Sequence, residues 1–254
     1  MAHVVSPATH PWLRLWIARG QQFIQPLVFD RHLRCFRASL PEAPSDELID
    51  NLFAAWGDRL SSERRDYIQR CLAEATRASG PILQCGSGLL SVLIGLVCQH
   101  ANAPGKRLWV LEHDPHWGNL ARSWLEARDI KHAHIIYAPA EQFNGFLWYV
   151  LDPSRLPNDF ALVLSEASAA LPGSARGVVS RMAKQFGNRC VILAGNARRP
   201  KDLKFLADWA KSQGAPFVMQ EGEHPYLKIA LRDRQPESAH EEGRLNTAFG
   251  PTRA

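Results

Sequence analysis

The sequence predicts an α/β fold: a three-layer, seven-stranded, mostly parallel sheet behind an N-terminal helical extension. Three observations predict it. From Pro81 onward, short apolar runs alternate with amphipathic stretches, the pattern of a parallel sheet covered on both faces. The first apolar run enters a Gly-x-Gly turn that opens an apolar helix. The last two apolar runs are separated only by Glu221 to Pro225, too short for the crossover of a dozen or more residues that a parallel pair needs, so they pair antiparallel.

The chain has 254 residues, 46% of them hydrophobic, enough for one large α/β domain with an added segment. The formal net charge is +5, carried by scattered residues without a run of five basic side chains, so a nucleic-acid partner is not indicated. The five cysteines form no Cys-x-x-Cys pair, so neither a zinc site nor a disulfide framework is expected. They read as small buried hydrophobes, which suits a reducing cytoplasm. The longest apolar run, Leu89 to Cys98, is about half the ~20 residues a membrane-spanning helix needs. Two early prolines and the lack of a compact apolar segment argue against a signal peptide.

Residues 1–80 read as a helical extension or cap. Trp12, Trp16, Phe23, Phe29 and Phe36 are mixed with arginines and read as an arm packed on the core rather than a membrane-surface or partner-binding helix, because Pro26 interrupts any long amphipathic helix. Ser45, followed by Asp46 and Glu47, starts a helix whose apolar face is Leu48, Ile49, Leu52, Phe53 and Trp56. A second helix starts near Ser61 or Ser62 and ends before Gly80-Pro81. Strands are expected at 82–85, 108–112, 133–137, 160–165, 189–194, 216–220 and 226–231. Helices are clearest after Asp114-Pro115 and after Pro200. Residues 233–254 are polar and aperiodic and read as a disordered tail.

The chemistry is concentrated in Ile82-Leu83-Gln84-Cys85-Gly86-Ser87-Gly88-Leu89. Glycines in such a turn let the backbone bend and approach a ligand where a Cβ would clash. The next strand ends in Glu112, 26 residues after Gly86, beside the first turn. A carboxylate there can accept hydrogen bonds from the hydroxyls of an adenosine ribose. Dinucleotides and S-adenosylmethionine (SAM) share this arrangement. Ser91 stands near the place of the third glycine of a dinucleotide turn, and the terminal antiparallel pair is unusual for a dinucleotide fold.

These features resemble the class I SAM-dependent methyltransferases over residues 81–232. The resemblance implies the sheet order 3-2-1-4-5-7-6 with strand 7 antiparallel, and SAM as cofactor. It implies that Gln84, Gly86, Ser87 and Gly88 form the first cofactor motif and that Glu112, with His113 beside it, meets the ribose. Ala140 and Glu141 would stand near the adenine, and Ser165 would lie at the end of the fourth strand, where an apolar strand delivers a polar group to the methyl-transfer site. The chain departs from the pattern in two places. Gln84 replaces the usual acid, and Pro139 stands where an Asp often holds the adenine amino group. Ser165-Glu166-Ala167-Ser168 also lacks an Asn-Pro-Pro-Tyr-type sequence, which counts against amino-group methylation of nucleic acid or of protein glutamine.

Methyl transfer needs a base only for a nucleophile that is protonated at working pH, and Glu166 is the candidate. Trp148 and Tyr149 are candidates for an acceptor pocket. Arg198 and Arg199, at the carboxyl edge of the sheet, are candidates for holding an anionic acceptor. His113, His116, His132 and His134 supply no third ligand at a readable distance, so no metal is expected. The expected activity is methyl transfer to a small-molecule acceptor. A methyltransferase-like binding protein without turnover and an NAD(P)-dependent oxidoreductase stay open as alternatives.

Overall fold

The computed structural model describes residues 26–58, 60–166, 171, 173–195, 199–222 and 224–232. The expectations for residues 1–25, for the tail from 233 and for Arg198 lie outside the described residues.

Three helices come first: α1 (Pro26–Ser39), α2 (Asp46–Trp56) and α3 (Ser62–Arg77). Proline at the start of α1 fits the first turn of a helix, where its missing N–H costs nothing. Ser45 and Ser61 cap α2 and α3 by accepting the backbone N–H groups of Leu48 and Arg64. Phe29, Leu33 and Phe36 of α1 are buried, so this part of the expected arm packs on the core. Trp56 and Trp124 meet edge to face, and the Arg128 guanidinium stacks over Phe29 and Trp124.

A seven-stranded sheet follows, built from β1 (Ile82–Cys85), β2 (Leu108–Glu112), β3 (Ala133–Tyr137), β6 (Phe160–Glu166), β7 (Phe186–Gly195), β8 (Phe217–Gln220) and β9 (Tyr226–Ala230). Its order is β3-β2-β1-β6-β7-β9-β8. All pairs are parallel except those of β9 with β7 and β8. This is the expected order with its antiparallel last strand. The helices α4 (Leu89–Ala101), α5 (Pro115–Glu126), α6 (Ser174–Met182) and α7 (Pro200–Ser212) complete the layers.

Alternation along the strands divides the interior in two. Ile82, Leu108, Leu162 and Leu164 face α1 to α5, whereas Leu83, Val163 and Ile192 face α6 and α7. The expected fifth strand begins earlier than position 189. Phe186 pairs with Phe160, then the register shifts before Leu162 meets Val191, and Arg189 takes a left-handed φ of 68° within that irregularity.

One part of the sheet cover was not foreseen. Between β3 and β6 the chain forms an antiparallel hairpin, β4 (Ala140–Phe143) and β5 (Phe146–Tyr149), in place of an α-helix. Its turn is Asn144-Gly145, with φ values of 39° and 84°. Asn-Gly between apolar residues is a strong hairpin signal, because both positions tolerate positive φ. The hairpin packs on α6 through Trp148, whose ring lies where a Cβ on Gly177 would sit, 2.2 Å away. Gly177→Ala should therefore lower the unfolding free energy by about 1–3 kcal/mol in urea titrations. An unchanged midpoint would show that Trp148 does not rest on α6.

Candidate functional site

The site is built at the carboxyl edge of β1 and β2. Gly86 bends the chain with a φ of 90°, a conformation that favours glycine, and its N–H donates to Leu111 O at 2.8 Å. Ser87 follows, and both its N–H and its Oγ donate to Glu112 Oε2, at 2.9 and 2.7 Å. Trp117 Nε1 donates to Ser87 O at 2.9 Å, and Gly88 N–H donates to Ser91 Oγ at 3.2 Å. The turn is thus held from β2, α5 and α4 together. A Cβ built on Gly86 or on Gly88 meets nothing within 4 Å, so the turn faces open space.

Glu112 is 3% exposed and directed at the turn. Its other oxygen, Oε1, accepts Asp114 N–H at 2.9 Å and lies 3.1 Å from His113 Nδ1. Burial alone would push its pKa up. The His113 contact and the donors from Asp114 and Ser87 outweigh burial and hold the carboxyl below the usual glutamate range.

Gln84 lies behind the turn, nine-tenths buried. Its Nε2 donates to Gly86 O at 2.9 Å, while Oε1 has no hydrogen-bond partner among the described residues. Ser165 Oγ, fully buried near the end of β6, is in register with Cys85 and meets its thiol. A buried oxygen without a partner among the described residues, Gln84 Oε1, beside an open turn is costly in a finished core and suits a site that receives a polar ligand.

The remaining sequence-derived residues separate. Tyr149 is buried with its ring 6.4 Å from that of His113, and burial raises its pKa well above the usual phenol range. Trp148 points to the opposite side, against Gly177. Ala140 and Glu141 begin β4. Ala140 opposes Tyr149, and Val150 N–H donates to Pro139 O, so Ala140 belongs to a non-hydrogen-bonded pair and its N–H turns away from β5. Glu141 is exposed. Arg199 is exposed and immediately precedes α7.

Glu166 ends β6 with its side chain 34% exposed. Burial raises its pKa, the Arg64 guanidinium lowers it, and the Asp58 carboxylate raises it; the net shift is upward. Arg64 Nε lies 3.8 Å and His224 Nε2 3.5 Å from Glu166 Oε1, and Arg64 also pairs with Asp58 at 2.6 Å. Arg64, Asp58 and His224 were not singled out from the sequence. For His224 a signal existed: an antiparallel last strand must begin at the carboxyl edge of the sheet, which puts the Glu221–Pro225 connection beside the site.

The depressed Glu112 pKa has a defined consequence for stability. Its contribution is present above the unfolded-state pKa of an ordinary glutamate and is lost as pH falls through the lowered folded value. Glu112→Gln should cost about 1–3 kcal/mol at neutral pH. In denaturant titrations across pH, the gap to the parent protein should close on the acid side. A gap that is constant with pH would contradict the ionised hydrogen-bonded carboxylate.

No protein-family model matches the sequence, and no curated protein matches it. Among solved structures, the SAM-dependent O-methyltransferase TM0748 from Thermotoga maritima is 12% identical, with a TM-score of 0.50 over 77% of this chain and 74% of that one. Precorrin-6y C5,15-methyltransferase from Geobacter metallireducens is 14% identical, with a TM-score of 0.49 over 66% of this chain and 88% of that one. The O-methyltransferase from Bacillus cereus in complex with SAH is 12% identical, with a TM-score of 0.48 over 87% of this chain and all of that one. Together with the strand order described above, the Thermotoga maritima structure identifies the fold: this chain has the fold of a SAM-dependent methyltransferase.

Proposed function

We propose that the chain is a SAM-dependent methyltransferase acting on a small-molecule acceptor. The observation that carries this reading is the open turn at Gly86 and Gly88, faced by a buried, ionised Glu112. The shared fold with a SAM-dependent O-methyltransferase supports it.

The residues fit the cofactor. Gly86, Ser87 and Gly88 would hold the adenosyl group, since a Cβ on either glycine meets nothing within 4 Å. Glu112 takes the ribose, exchanging the Ser87 Oγ hydrogen bond for one from a ribose hydroxyl, while His113 and Asp114 keep the carboxylate aimed. The Ala140 N–H, turned away from β5, and the nearby Glu141 serve the adenine in place of the side chain that Pro139 lacks. Gln84 Oε1, a buried acceptor without a partner among the described residues, receives a donor from the cofactor's amino-acid part, and Ser165 Oγ supplies a second polar contact. When bound, SAM supplies an electrophilic methyl group on a sulfonium.

On the acceptor side, Glu166 stands at the end of β6 as the proton acceptor, and Tyr149 and Arg199 stay candidates for contacts to the acceptor. Trp148 is left out of the acceptor wall because it is packed on α6. Proximity and orientation supply most of the rate in such a transfer. Every one of the five thiols is unpaired and four are buried, in keeping with a reducing cytoplasm. No helix among the described residues is long and apolar enough to cross a membrane.

A second reading, a binding protein without turnover, has one observation in its favour: both Glu112 oxygens are already engaged within the protein. Calorimetry with SAM and S-adenosylhomocysteine tests the first requirement of both. Gly88 has an extended φ of 168°, open to any residue, and a Cβ there meets nothing, so Gly88→Val should fold normally. It should weaken S-adenosylhomocysteine by roughly tenfold or more by filling the ligand's place. No heat of binding at about millimolar ligand, or equal affinity in the variant, would remove the SAM reading.

A further inference from the structure

The groups around Glu166 come from three separate parts of the chain. Arg64 lies in the first turn of α3, Asp58 follows α2, and His224 lies in the connection between β8 and β9. His224 is 8% exposed and its position is fixed twice. Its N–H donates to Glu63 Oε2 at 2.7 Å, and its ring lies 5.2 Å from that of buried Tyr67. Tyr67 in turn covers Gly195, the register partner of Glu166 at the end of β7. The imidazole is therefore held by α3 and delivered to the Glu166 carboxylate.

The contacts are unequal on the two carboxylate oxygens. Arg64 Nε and His224 Nε2 both make their nearest approach to Oε1, at 3.8 and 3.5 Å. Glu166 also lies in the strand beside β1, one position beyond Ser165, the register partner of Cys85, and so next to Gly86. A carboxylate approached by two basic groups through one oxygen and set beside an open glycine turn can act through the other.

We propose that His224 is a positioning residue that holds Glu166 to take the proton from a hydroxyl acceptor, with Arg64 at its flank. This rests on the reading of the chain as a methyltransferase. The charge pattern selects the acceptor class. Arg64 is permanently cationic and sits on the same carboxylate, so an ammonium acceptor meets a like charge, whereas a neutral hydroxyl does not. The guanidinium also stabilises negative charge as it develops on the hydroxyl oxygen. A thiol, partly ionised at neutral pH, has least need of such a base.

In the step, the acceptor oxygen forms a bond to the methyl carbon and its proton passes to Glu166 Oε2. The carbon–sulfur bond breaks with its electron pair kept by sulfur, so the sulfonium donor leaves as a neutral thioether. The charge on Glu166 is set by burial, Arg64 and Asp58, with His224 3.5 Å from its Oε1 and Glu63, Tyr67 and Cys71 of α3 packed nearby. Glu166 must be ionised to act, so activity falls as pH drops through its raised pKa.

The test uses the full chain with radiolabelled SAM as donor. Catechol, adenosine and glycerol are the hydroxyl probes, butylamine the amine probe and mercaptoethanol the thiol probe. Affinity for S-adenosylhomocysteine is measured in parallel on the parent protein, Glu166→Gln and His224→Asn. Loss of that binding in the parent overturns the methyltransferase reading itself. With binding intact, the proposal expects transfer to a hydroxyl probe in preference to the amine and thiol. It expects Glu166→Gln to lower kcat by about 100-fold or more, and His224→Asn by about tenfold. In His224→Asn the acid limb of kcat should shift, while ligand affinity stays within about twofold. Transfer only to the amine or thiol, no transfer to any hydroxyl probe, or a His224→Asn profile matching the parent overturns it. So does loss of ligand affinity in the variants to the same degree as kcat, which would mark the cluster as a structural tie only.

Discussion

The hydrogen bonds from Ser87 to the Glu112 carboxylate are the constraint on which the site depends. They join the tip of β2 to the first turn after β1, and they hold that turn open. A glycine-rich bend without such a tether has too many conformations to hold one shape. Here the donors come from the turn itself, the charge is buried, and Trp117 locks the same residue from the other side. Burying an ionised carboxylate is tolerable because its lone pairs meet donors. In the proposed reading, Ser87 Oγ holds the place of a ribose hydroxyl on Glu112.

The rest of the fold sets this tether at the right height. Parallel register aligns Cys85 with Leu111 and with Ser165, so the ends of β1, β2 and β6 form one rim. The antiparallel β9 brings the β8–β9 connection to the same rim, and α3 closes over it. The two layers differ in character. One is a helical stack with an aromatic knot at Phe29, Trp56 and Trp124. The other combines α6 and α7 with a hairpin whose Trp148 fits the space left by Gly177. The Arg176 guanidinium ties these pieces together, donating to Gly145 O in the hairpin turn and pairing with buried Asp202 at the start of α7.

Much of this was legible in the sequence, for local reasons. The strand order and terminal hairpin followed from apolar periodicity, a five-residue connection and a family resemblance. Ser45, Ser61 and Asp114 announced their helices because capping is decided within four residues. Gly86 and Glu112 were legible because each lies at the end of a readable strand. The β4–β5 hairpin carried an Asn-Gly signal, but its few residues sit where a helix was the default crossover. Of the Glu166 cluster, Glu166 was read directly and His224 only through the placement of the β8–β9 connection, while Arg64 and Asp58 carried no signal. Arg64 and His224 are 160 positions apart, and only the closing of the sheet brings both to one carboxylate. The separate fates of Trp148 and Tyr149 follow from strand alternation, which becomes readable only once β5 is recognised as a strand.

The decisive experiment is a crystal structure of the protein with S-adenosylhomocysteine. Its ribose should rest on Glu112 and its chain over Gly86 to Gly88, with Ser87 Oγ displaced from the carboxylate by more than a hydrogen-bond length. A ligand seated elsewhere, or a Ser87–Glu112 contact unchanged beneath it, would rule this site out.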